Sequence, residues 1–176
     1  MIKFFIEPGY DVKAPIRDYG NAGVDFFIPS YSETFKEAFE SKNMFRNAYI
    51  VDKDSGEYVI RIMPHSRVNI PSGIRSYISP NVALEAQNKS GIATKLGLVY
   101  GASVIDANYQ GIIHISLINT TSDTVELPLG MKAVQFIPRL IDVSPIEVYN
   151  NISLEEFYKD FEFTNRGEGA FGSTGV

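Results

Sequence analysis

Five short stretches of this chain carry residue types that could do chemistry on an anion: Ala22 to Asp25, Asn88 to Ala93, Val104 to Gly111, Ala133 to Ile137, and Arg166 to Gly175. In the third, Asp106 closes an apolar run, and Tyr109 and Gly111 follow shortly after. Asp-x-Asn and glycine are turn formers, so this stretch reads as a β-hairpin tip between apolar strands. Asp106 and Asn108 either shape that turn only, or the tip offers unpaired backbone groups to the edge of a flat base. In the second case Asp106 can act as a general base on water, and Tyr109 can pack its ring against a sugar. An aspartate at its usual low pKa is a weak base, so this role calls for partial burial of Asp106 to raise it.

Lys89-Ser90-Gly91 follows a strand with a cation, a hydroxyl and room for close backbone approach. That set suits a phosphate, or it is a basic surface turn. The last stretch, 166–176, holds four glycines and no strand pattern. It is either a frayed tail or a lid that orders over a ligand. In a lid, glycine N–H groups and the planar fork of Arg166 would approach phosphate, and Phe171 would stack on a base. It is not a Walker loop, because no Gly-Lys-Ser/Thr follows. Asp25 either organises its glycine turn or contacts metal-bound water. Gln135, a lone amide in an apolar strand, is either satisfied internally or donates to phosphate. His65 and His114 have no matching carboxylate constellation for zinc.

The elements that must position these residues are mostly short strands with turn signals between them. Expected strands are 2–6, 24–28, 57–63, 67–70, 74–78, 82–87, 98–105, 112–118, 131–137 and 141–148. Two helices interrupt them. Ser30 and Glu33 form a capping-box pair ahead of Phe35, Ala38 and Phe39, and Ser153 and Glu156 repeat the signature. Many short strands of this kind predict an all-β sandwich or barrel with one or two short helices.

Composition bounds the rest. With 176 residues and 44% hydrophobic content, one domain with a real core is expected. The absence of cysteine excludes disulfides, thiolate metal sites and a cysteine nucleophile, and agrees with a cytoplasmic location. A net charge of −5 argues against a broad basic face for nucleic acid. No signal peptide and no membrane partner are expected, since no apolar run approaches the roughly 20 residues that span a bilayer.

Taken in order, the five segments resemble the trimeric dUTPase family, from Ala22 to Gly175. The resemblance implies a jelly-roll-like β subunit, a homotrimer with active sites shared between chains, and hydrolysis of dUTP to dUMP and pyrophosphate with Mg²⁺. By that similarity Asp106 would activate the attacking water, and Tyr109 would pack beneath the deoxyribose. The backbone around Tyr100, Ser103, Val104 and Ile105 would read uracil. Lys89, Ser90, Gly91 and Gln135 would hold phosphate. Arg166, Gly172, Ser173 and Thr174 would grip the terminal phosphates, and Phe171 would cover the base. Asp25 would stand near the metal through water.

The chain departs from the family pattern in four places. Lys89 replaces the usual arginine, and Ala170 replaces a glycine in the lid. Tyr100 sits near a position held by asparagine in some members. Residues 31–56 are longer than the usual connection, and read as a surface insertion or as a contact site for another protein. The nearest rival activity, dCTP deamination, needs a glutamate where this chain has Ser116. A regulatory module that signals through 31–56 is the other alternative.

Overall fold

Apolar and polar residues alternate along most of the chain, and twelve short strands result among the described residues, 1–44, 47–54 and 56–159 of the computed structural model. In chain order they are β1 (Ile2–Ile6), β2 (Val24–Phe27), β3 (Ala48–Asp52), β4 (Tyr58–Ile62), β5 (Arg67–Pro71) and β6 (Ile74–Ile78). Then come β7 (Val82–Asn88), β8 (Leu98–Tyr100), β9 (Val104–Ile105), β10 (His114–Asn119), β11 (Val125–Pro128) and β12 (Lys132–Leu140). Three helices join them: α1 (Glu33–Asn43), α2 (Ser90–Leu96) and α3 (Leu154–Phe157). The chain divides into two units, Met1–Val143 and Ser144–Val176. All described strands lie in the first unit, and the described part of the second carries α3, whose N-cap Ser153 accepts the Glu156 N–H as its capping signature predicts.

Every strand pairing is antiparallel, in four small sheets ordered β1-β6, β5-β10-β8, β11-β4-β3 and β2-β12-β7-β9. Their apolar faces bury one core, with Phe26, Ile60, Ile70, Leu84, Leu98 and Ile113 fully enclosed. Phe26 meets Phe136 edge-on at 4.8 Å between ring centroids, which ties β2 to β12.

Within 31–56, Phe35, Phe39 and Ala48 belong to this core. α1 turns Phe35, Phe39 and Asn43 inward at a spacing of four residues, and all three are buried. Asn43 also pairs with the backbone of β5. Its Nδ2 donates to the Asn69 carbonyl at 2.9 Å, and its Oδ1 accepts the Asn69 N–H at 2.8 Å. The inner face of the segment therefore belongs to the fold. The remainder of the segment supplies β3, which pairs with β4.

The structure corrects several local expectations. The cap of α1 is Ser32, whose Oγ accepts the Phe35 N–H, rather than Ser30. Glu33 is engaged by the Tyr31 hydroxyl and so does not reach back to close a box on Ser30. The expected strand 98–105 breaks at Gly101 into β8 and β9, which sit in different sheets. The expected strand 141–148 is irregular. Its Ile146 and Val148 are 90% and 85% exposed, so alternation there buries nothing. α2, β3 and β11 form where no element was expected.

Truncating Phe39 to alanine removes a ring that fixes α1 in the core. The cost should be about 3–5 kcal/mol. A fall in the urea midpoint of that size at unchanged slope is the expected result, and an unchanged midpoint would show that α1 is an appendage.

Candidate functional site

The cleft begins with the register of β12. This strand runs between β2 and β7, setting Gln135 opposite Asp25 on one side and Gln87 on the other. Val134 stands opposite Asn88, the residue before Lys89. Three stretches distant in sequence thus meet at one end of a single sheet.

A bulge adds a fourth contributor. Lys132 pairs with Phe27 and Val134 with Phe26, which leaves Ala133 extra. Residues three apart on a regular strand point to opposite faces. The extra residue reverses that relation, as bulges do. Ala133 and Val134 both turn inward and are buried. Lys132 and Gln135 both reach a cleft of about 540 Å³, shared with Lys89, Ser90, Gly91 and Lys95. Sequence reasoning missed Lys132 and Lys95. The only signal for Lys132 is the bulge, which alternation hides.

Asp25 anchors the charge. Lys89 Nζ lies 2.5 Å from its Oδ1, and Lys132 Nζ lies 2.9 Å from its Oδ2. The Asp25 side chain is only 14% exposed. Burial pushes its pKa up, but the hydrogen bonds from Lys89 and then Lys132 outweigh this and hold it below the ordinary value. Gly23 lies under the neighbouring amide, where a β-carbon would stand 2.8 Å from Gln135 Oε1. Glycine is therefore required for Gln135 to lie where it does. Its Nε2 donates to the Asn88 carbonyl at 3.3 Å.

Lys89 is the N-cap residue of α2; its donor-only ammonium cannot cap the helix N–H groups and donates to Asp25 instead. Asn88 uses its side chain elsewhere, accepting the Tyr100 N–H at 2.8 Å. β9 pairs with β7 by one edge, Val104 opposite Glu85 and Ile105 opposite Leu84. The Ser103 carbonyl accepts the Ala86 N–H at 2.6 Å. β9 ends the sheet order, so its other edge has no strand partner among the described residues.

Asp106 lies just beyond β9, on a loop and exposed. The partial burial expected of a general base is not supplied by the described residues, among which Asp106 is exposed. Asp106 lines a separate hollow of about 570 Å³ with Tyr77, Ile78, Pro80, Ala107, Asn108 and Ile141. Among the described residues, that hollow shares no lining residue with the lysine cleft. Tyr109 folds back over Gly111, where a β-carbon would collide with its ring, and its hydroxyl donates to the Ile112 carbonyl at 2.8 Å. Arg166, Phe171, Gly172, Ser173 and Thr174 lie outside the described residues.

Among the described residues, no three His, Asp or Glu side chains gather as a cage for a metal ion. Asp25 does not fit as a direct ligand, since ammonium groups occupy both its oxygens. Nor is any described helix long and apolar enough to cross a membrane.

Fold and cleft together define a jelly-roll-like β protein with a lysine-lined cleft. A family model described as dUTPase matches residues 55–175. The deoxyuridine 5'-triphosphate nucleotidohydrolase of Haemophilus ducreyi is 31% identical over 156 residues, covering 87% of this chain and 90% of that protein. A Yarrowia lipolytica protein of the same name is 33% identical over 109 residues, 62% of this chain and 60% of its own length. The fold matches a mutant dUTPase of Staphylococcus bacteriophage 80alpha bound to dUpNHpp, at TM-score 0.69, 17% identity and coverage of 100% and 99%. It also matches a mutant dUTPase from phage phi11 of S. aureus, described with a structural Mg(II) ion, at TM-score 0.62, 16% identity and coverage of 86% and 98%. The chain belongs to the dUTPase family.

The depressed pKa of Asp25 gives a pH signature. Its folded pKa lies below the ordinary 3.8, so its contribution to stability is present above that value and is lost as pH falls through the folded pKa. Asp25→Asn should lower the urea midpoint at neutral pH and lose less stability than the parent on acidification below about pH 4. Parallel midpoint curves for the two proteins would remove this assignment.

Proposed function

We propose that this chain hydrolyses dUTP to dUMP and pyrophosphate, as its family does. The observation that carries the reading is the convergence of Lys89, Ser90, Gly91 and Gln135 on one cleft. Backbone approach at Gly91, a hydroxyl, an amide donor and ammonium groups suit a polyphosphate chain. dUTPases use a divalent metal, and Mg²⁺ would enter here on the triphosphate, held by phosphate oxygens and water as a hard, hydrated ion prefers. When bound it supplies charge stabilisation for the departing pyrophosphate. Asp25 would act as counter-ion to Lys89 and Lys132, rather than as a contact to metal-bound water.

Asp106 takes a proton from water, and the resulting hydroxide attacks the α-phosphorus. The bond to the bridging oxygen breaks, and pyrophosphate leaves. Tyr109 supports the deoxyribose and leaves no room for a 2′-hydroxyl. The free edge of β9, with the backbone near Tyr100 and Ser103, meets uracil. Arg166, Gly172, Ser173 and Thr174 close on the terminal phosphates, with Phe171 over the base.

The assembly is read as a homotrimer with shared sites. Support comes from the separation of the Asp106 hollow from the lysine cleft on one chain, since each lacks what the other holds. A second copy would also supply burial that the described residues do not give Asp106. At Ser116 the chain has no carboxylate for deamination of dCTP, so release of pyrophosphate rather than ammonia is expected.

Asp106→Asn should retain dUTP binding while turnover drops by two or more orders of magnitude, roughly the scale of general-base loss. Unchanged turnover would remove Asp106 as the base. Ending the chain before Arg166 should weaken triphosphate affinity and nearly abolish pyrophosphate release, and full activity after that cut would reject the lid.

A further inference from the structure

The loop that carries Asp106 and Tyr109 is fastened at both ends by backbone. At its start, Val104 and Ile105 pair with β7. At its finish, the Ile113 N–H donates to the Ile74 carbonyl at 2.8 Å, and the Ile113 carbonyl accepts the Ser72 N–H at 3.0 Å. Between these ends lie seven residues, 106–112, that carry the reactive side chains. Internal bonds fold the loop on itself, with the Tyr109 N–H donating to the Asp106 carbonyl at 3.1 Å. They do not fix it against the fold.

Arg75 supplies that tie. Its Nη1 donates to the Gln110 carbonyl at 2.6 Å, one residue from Tyr109. Among the described hydrogen bonds, this is the one from the rest of the fold to the middle of the loop. The other side of the guanidinium is committed to Glu7, with Nε donating to Oε2 at 2.6 Å and Nη2 to Oε1 at 3.3 Å. Glu7 follows β1, and its own N–H donates to the Gly73 carbonyl at 2.8 Å, so the carboxylate is set by backbone. Arg75 is on β6, opposite Phe5 of β1. A planar guanidinium held on two donors has a fixed direction for its third, which a lysine cannot reproduce.

We propose that Glu7 and Arg75 form a brace that positions Asp106 and Tyr109 for the reaction. Arg75 is a positioning residue, since it touches the loop backbone and acts through it. The proposal rests on the reading of Asp106 and Tyr109 given above. Displacement of a reacting group by about 1 Å can cost up to two orders of magnitude in rate. The brace bears on two outcomes together, the rate through Asp106 and the exclusion of ribose through Tyr109. Loss of fold alone would lower the rate for dUTP and UTP alike. Loss of the brace should lower dUTP turnover and narrow the preference for dUTP over UTP.

The experiment measures kcat and KM for dUTP and UTP in the full chain, alongside thermal midpoints, for Arg75→Lys, Arg75→Met, Glu7→Gln and the double variant Glu7→Gln with Arg75→Met. Both Arg75 variants should lose about ten- to a hundredfold in kcat for dUTP and lose part of the preference for dUTP over UTP. Glu7→Gln should move both quantities the same way by less. The double variant should be no worse than Arg75→Met, as members of one unit are not additive. Wild-type kcat and preference in a folded Arg75→Met would overturn the brace. Should Arg75→Met not fold, Glu7→Gln with unchanged kcat and preference overturns it instead. A wild-type chain inactive on dUTP would instead defeat the proposed reaction.

Discussion

The register of β12 is the constraint on which the rest depends. It is an interior strand of its sheet, and its alignment with β2 and β7 sets Lys132 and Gln135 against Asp25 and the end of β7 that leads into Lys89. A slip by one residue would turn Gln135 into the core and Phe136 out of it. Burial of Phe136, Val134 and Ala133 makes that slip costly. Apolar packing on the inner face thus fixes polar geometry on the outer one. The bulge at Ala133 then adds Lys132 to the same outer face without breaking the inner one.

Such a concentration of ammonium groups needs an answering charge. Asp25 supplies it from the neighbouring strand β2, paired with both ammonium groups and largely out of water. Lysine in place of arginine suits this arrangement. A flexible point charge can leave one carboxylate oxygen for another anion without the geometric penalty of breaking a two-pronged contact. Asp25 therefore holds the two ammonium groups in fixed positions at the cleft, and groups ordered in advance lose less freedom when they engage a partner.

How much of this was legible in the sequence depended on range. β1 and β6 were read residue for residue, because alternation is local. So was the cap of α3, where Ser153 and Glu156 meet within one turn. α2 was missed because seven residues that include Gly91 and Thr94 offer little apolar periodicity, and Lys89-Ser90-Gly91 looks like a turn. The expected strand 141–148 had alternation but no described partner strand to complete it. Lys89, Ser90, Gly91 and Gln135, singled out because each stands in a recognisable segment, do line one cleft. Lys132 depended on a bulge, Gly23 on an amide more than a hundred positions away, and the exposure of Asp106 on what a single chain leaves uncovered. None of these is written in neighbouring residues.

The pairing of Asn43 with Asn69 reaches beyond helix docking. β5 is the outer strand of its three-stranded sheet, and such a strand offers a row of unpaired N–H and C=O groups to any passing chain. The side-chain amide of Asn43 presents one donor and one acceptor in the order a neighbouring strand would, and so closes that row at its third residue. α1 thus shields the strand from joining sheets edge to edge with other molecules. An edge occupied in this way is one place fewer where a foreign strand could add to the sheet.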